Sequence, residues 1–104
     1  MPDLETWQYI QDNLKVGMMI PNWTKDRGYT GEPFEVLEVT WGYIMVGIPK
    51  GVKVHHKDFT LLHKLWDGYR NGPIQRITMR NSSYRSKYVI SLFHWVEEKN
   101  GSLP

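Results

Sequence analysis

The chain has 104 residues, no cysteine, 40% hydrophobic residues including 5 Trp, 6 Tyr and 3 Phe, and a formal net charge of +2. That length and aromatic content suit one folded domain and exclude a disordered chain. The lack of cysteine excludes a disulfide framework, a thiolate metal site and a cysteine nucleophile.

The first segment, "MPDLETWQYIQDNLK", has acids where a secretory leader has a basic start and an apolar block, so no leader is predicted. Leu4, Trp7, Ile10 (or Gln11) and Leu14 fall at helical spacing, with Asp3 placed to cap and Gly17 to stop the helix. "MMIPNW" (18–23) predicts a short strand that Pro21 confines to an edge or a bend. "TKDRGYTGEP" (24–33) predicts a loop, with two glycines, a proline and four charges. There Trp23 and Tyr29 stand around Lys25 and Arg27. That pattern suits base stacking or a peptide pocket, although Trp23 reads better as a packing residue.

"FEVLEVTWGYIMVGI" (34–48) predicts a hairpin around "TWGY". Phe34 and Val36 share one parity while Leu37 and Val39 share the other, which places a bulge near Val36–Leu37. "PKGV" turns the chain into a third strand, "VKVHH" (52–56), where His55 and His56 point to opposite faces. From residue 57 the period becomes helical. Asp58 is the expected cap, Phe59, Leu62, Trp66 and Tyr69 form one stripe, and Leu61 and Leu65 widen it. "PIQRITMRN" (73–81) fits a short helix with Pro73 in its first turn, or a strand of alternating Ile74, Arg76, Thr78 and Arg80. Ser82 or Ser83 then caps a last helix that Gly101 ends.

These elements predict an α+β domain over 1–104. An N-terminal helix (1–16) precedes a small SH3-like antiparallel half-barrel (18–56) and two or three C-terminal helices (57–99). No apolar run reaches membrane-spanning length, and the chain reads as cytoplasmic.

In the last helix Lys87, Ser91, His94 and Glu98 form one polar stripe. Tyr84, Tyr88, Val89, Ile90, Leu92, Phe93, Trp95 and Val96 cover nearly all the rest. So apolar a helix must be buried on several sides, in the core or in a homodimer interface. Its polar start follows a segment with no acid between Asp67 and Glu97, which instead holds Arg70, Arg76, Arg80, Arg85 and Lys87. A helix-turn-helix would use such a start, with 73–80 as the first helix and the turn at Asn81–Ser82. Ser83, Arg85, Ser86 and Lys87 would then face a duplex while Arg76 and Arg80 meet phosphates.

The stretches "IPNWTKDRGYTGEPFEV" (20–36) and "KDFTLLHKLWDGYRNGPIQRITMRNSSYRSKYVISLFHWVEE" (57–98) together resemble small uncharacterised bacterial proteins carried on mobile integron gene cassettes. The resemblance implies a cytoplasmic bacterial accessory protein of unknown function and assigns no residue a role.

Catalytic patterns are missing. There is no GxSxG, P-loop or GxGxxG sequence. His63 and Asp67 share a helix face, but two ligands are too few for a metal. Ser91 and His94 lack a third partner for nucleophilic chemistry. The reading is therefore a small non-enzymatic binding module without cofactor or metal. Nucleic acid is the expected ligand, held at Arg76, Arg80, Ser83, Arg85, Ser86 and Lys87. The alternative is a protein-interaction module that self-associates through the last helix.

Overall fold

The computed structural model describes residues 2–47 and 50–104. The Asp3 side chain expected to cap the first helix, the strand residue Ile48 and Pro49 of the "PKGV" turn lie outside what is described.

Helix α1 (Pro2–Asn13) turns Trp7, Ile10 and the following Leu14 into the core, while Leu4 stays 44% exposed. The helix ends at Asn13, before Gly17, which instead shapes a following turn at φ 95°, a conformation that suits glycine. The Gly17 N–H then donates to the Val36 carbonyl at 2.8 Å, which brings the chain onto the sheet.

The expected strand 18–23 is divided in two. Strand β1 (Met19–Ile20) ends at Pro21, and β2 (Trp23–Thr24) leaves to pair with β3 (Gly28–Tyr29) as a separate antiparallel ribbon. The segment expected to be only a loop thus contains a tight hairpin, closed where Gly28 adopts φ 70° and where the Arg27 N–H donates to Thr24 Oγ1.

Strands β4 (Phe34–Val39), β5 (Tyr43–Val46) and β6 (Val52–His55) complete a four-stranded antiparallel sheet in the order β1-β4-β5-β6. The register shifts between Val36 and Glu38, where the parity slip placed a bulge. Phe34, Val36, Ile44, Val46 and Val54 line its buried face, while Tyr43, Met45, Lys53 and His55 alternate onto the other.

Helix α2 (His56–Asn71) starts directly after β6, so His56 opens the helix and does not end a strand. Asp58 is not its capping residue. It stands one turn in, and its Oδ2 accepts the His55 N–H at 3.0 Å. Phe59, Leu62, Trp66 and Tyr69 are buried along one stripe as their spacing predicts.

Of the two readings of 73–81, the helix forms: α3 (Arg76–Ser82) begins three residues after Pro73 and buries Met79. Helix α4 (Ser86–Asn100) starts later than expected, and Gly101 closes it at φ 87°. The architecture is α+β, with four helices and small antiparallel sheets among the described residues.

One core joins all these parts. Val89, Ile90, Leu92, Phe93 and Val96 of α4 are covered by the chain itself, while Tyr88 and Trp95 of the same helix are half-buried. Among the described residues, no helix is long and apolar enough to cross a membrane.

Candidate nucleic-acid interface

The α3–α4 connection is built around Ser83. Its backbone is extended (φ −159°, ψ 136°), which breaks the helical path. Its hydroxyl donates to Asp58 Oδ1 at 2.8 Å and accepts the Arg85 N–H at 3.0 Å. Asp58 holds β6 and α2 through its other oxygen, so one carboxylate fastens the strand–helix corner to the helix–helix turn. Pinned on both sides, the turn projects Tyr84 outward, 98% exposed.

Two shallow grooves flank Tyr84. One is lined by Lys57, Leu61, Ile77 and Arg80, the other by Met45, Lys53, His55 and Arg85. Arg85 donates from Nε to the Lys53 carbonyl at 3.2 Å, which lays it along the end of the sheet. The Lys53 ammonium stands 4.6 Å from the centre of the Tyr43 ring, and that ring lies 5.9 Å from the His55 ring. Tyr84, Arg85, Lys53, His55 and Tyr43 thus form a continuous strip of rings and cations. Asp58 is the one acid lining either groove, and both its oxygens are engaged.

The residues expected to bind nucleic acid separate into different places. Arg80 and Arg85 reach the Tyr84 surface. Arg76 and Lys87 line another cleft, under the β2–β3 ribbon. Arg76 is half-buried there and donates to Ser86 Oγ at 2.9 Å. Ser83 and Ser86 do not face outward: they are 8% and 1% exposed, and their hydroxyls serve Asp58 and Arg76. Arg70 is elsewhere again, paired with Glu97 at 3.2 Å. The acid-free stretch is thus dispersed, and the grouping at Tyr84 arises because β6 and α2 bring Lys53 and Lys57 to Arg80 and Arg85.

The polar stripe of α4 is also revised. Ser91 and His94 are buried because the β2–β3 ribbon crosses them. The Trp23 backbone N–H donates to Ser91 Oγ at 3.0 Å, and the Trp23 ring stacks on the His94 ring at 4.0 Å. Burial pushes the His94 pKa below its ordinary value; Glu98, 3.3 Å from Nε2, and Glu97 oppose that shift, and Arg70 adds to it. The unfolded chain therefore binds this proton more readily than the folded one. Stability should fall as pH drops below about 6.5, the free-histidine value, through the lower folded pKa. Urea midpoints across that range test this, and a His94→Gln variant should lose the dependence assigned to this ring. An unchanged slope in the variant would assign it elsewhere.

His63 and Asp67 have separate partners: His63 Nε2 lies 3.0 Å from Thr6 Oγ1, and Asp67 accepts from Asn71 at 3.1 Å. Among the described residues no three His, Cys, Asp or Glu side chains stand together to hold a metal ion. No protein-family model, curated protein or solved structure matches the chain.

Proposed function

We propose that this protein is a small non-enzymatic module that binds single-stranded nucleic acid across the Tyr84 surface. The observation that carries the reading is the exposure of Tyr84 between Lys53, Lys57, Arg80 and Arg85. An aromatic ring with both faces open stacks an unpaired base, and cations around it follow the phosphates.

A single strand is favoured over a duplex by the start of α4. A groove-reading helix presents its first-turn side chains to base edges, whereas here Ser83 and Ser86 are turned inward. The curled sheet, bent at the Val36–Glu38 bulge, supports an SH3-like half-barrel as the platform. A cytoplasmic setting and the resemblance to proteins of mobile gene cassettes belong to the same proposal.

Fluorescence anisotropy with short labelled DNA and RNA strands, and with a duplex of equal length, tests it. Four neutralised phosphates predict a log–log salt slope of roughly −3 on single strands, at about −0.7 per phosphate. The strands should bind more tightly than the duplex. Absence of binding at low salt by correctly folded protein would reject the proposal.

A further inference from the structure

We infer that the cleft beneath the β2–β3 ribbon binds a small phosphate monoester carrying a planar ring, of nucleoside-monophosphate size. This does not rest on the Tyr84 surface. The cleft has a volume of about 410 Å³, within the range of roughly 300–1,000 Å³ typical of small-molecule sites. Its walls come from Asn22 and Thr24 of the ribbon and its approach, the 30–34 segment, Arg76 of α3, and Lys87 and Tyr88 of α4.

Charge is the first argument. Arg76 and Lys87 both line the cleft, and among the described residues neither has a carboxylate within ion-pairing distance. Arg76 uses one terminal nitrogen on Ser86 Oγ, which leaves most of its fork of donors to a ligand. Burial also pushes its pKa down from the ordinary value, the direction expected of a desolvated cation short of counter-charge. A phosphate would supply that charge and match the planar guanidinium in geometry.

Polarity and shape supply the rest. Asn22 is oriented by its Nδ2, which donates to the Glu32 carbonyl. Its Oδ1 is buried and accepts no hydrogen bond among the described residues. A buried acceptor left so is costly, and it belongs to a residue of the cleft wall. Tyr88, held edge-on to Phe34 at 5.2 Å, gives the ring an aromatic wall.

Glu32 also lines the cleft and narrows the choice of ligand. Arg76 and Lys87 outweigh Glu32 by one positive charge, which suits a monoester better than a more highly charged group. The larger charge of a triphosphate would exceed them and meet the Glu32 carboxylate. The site should therefore prefer AMP to ATP.

The experiment is an amide chemical-shift titration of the full chain with AMP, adenosine, ATP, inorganic phosphate and a 5′-phosphorylated trinucleotide. AMP should give saturable shifts at Gly31, Glu32, Lys87 and Tyr88. Adenosine and inorganic phosphate should each bind at least tenfold more weakly, since each lacks half of the recognised group. Read at these cleft amides and not at the Tyr84 turn, tighter binding of the trinucleotide than of AMP would identify a strand end as the source of the monoester; weaker binding there would identify the free nucleotide. Lys87→Gln, at an exposed position that keeps the fold, should weaken AMP about tenfold, the loss expected of one charge-assisted contact. Three results would each overturn the inference: no saturable shift at millimolar AMP, shifts confined to the Tyr84 turn, or unaltered affinity in Lys87→Gln. All three leave the Tyr84 surface untouched, so the two sites fail or stand separately.

Discussion

Phe93→Ala should lower the unfolding free energy by about 3–5 kcal/mol. Phe93 is fully buried at the centre of the α2–α4 contact. Its ring meets Trp66 at 5.4 Å, Phe59 at 5.8 Å and His63 at 5.9 Å, each edge to face. Such edge contacts add to simple area burial because the positive ring edge meets the negative ring face. Truncation removes the ring and leaves a void among side chains too rigid to collapse into it. A domain of this length has roughly 5–15 kcal/mol in total, so the variant should be folded only marginally. Urea unfolding followed by tryptophan fluorescence measures the loss, with little change in m. A loss below about 1 kcal/mol would mean that α4 is not seated on α2 in this way.

The elements that were legible in the sequence are those whose signal repeats. Phe59, Leu62, Trp66 and Tyr69 recur at helical spacing, and α2 buries all four. The parity slip at Val36–Leu37 located the bulge because side chains alternate strictly along a strand. The apolar circumference of α4 correctly required cover on several sides, but periodicity does not say what supplies it. Much of the cover is internal, including the β2–β3 ribbon, whose two-residue strands are too short to carry any period. That ribbon buries Ser91 and His94, so a stripe that looked solvent-facing is polar and enclosed.

The start of α4 was misplaced for a related reason. Ser82 and Ser83 are both good capping residues by local chemistry. Ser83 instead serves Asp58, 25 positions away, and the helix begins only at Ser86. A tertiary contact thus overrode a local preference. Tyr84, which helical spacing had counted among the apolar positions of α4, is left outside the helix and fully solvated. Arg80 and Arg85 were legible as basic residues near a helix start. Their grouping with Lys53 and Lys57 was not, because it depends on how β6 and α2 pack against the α3–α4 turn.

Tyr84→Ala should weaken single-strand binding by about 1–3 kcal/mol, or roughly 5- to 150-fold, the measured worth of one base stacked on an aromatic ring. The side chain is 98% exposed, so its removal should leave stability within about 0.5 kcal/mol. Loss of affinity with an unaltered unfolding curve would therefore report the stack alone. Tyr84→Phe should bind like the parent, because stacking uses the ring face and the hydroxyl lies in solvent. The salt dependence separates this contribution from the electrostatic one. Stacking releases no counterions, so Tyr84→Ala should shift the log affinity down at every salt concentration without changing the slope. Arg80→Gln should do the reverse, flattening the slope by about 0.7 through the loss of one phosphate contact. Anisotropy titrations of the three variants at several salt concentrations measure both quantities together. If Tyr84→Ala binds as tightly as the parent, the exposed ring is not a stacking platform and the proposed interface is withdrawn. If its affinity falls and its slope flattens too, Tyr84 instead positions the neighbouring cations, and the base contact belongs to another ring of the strip.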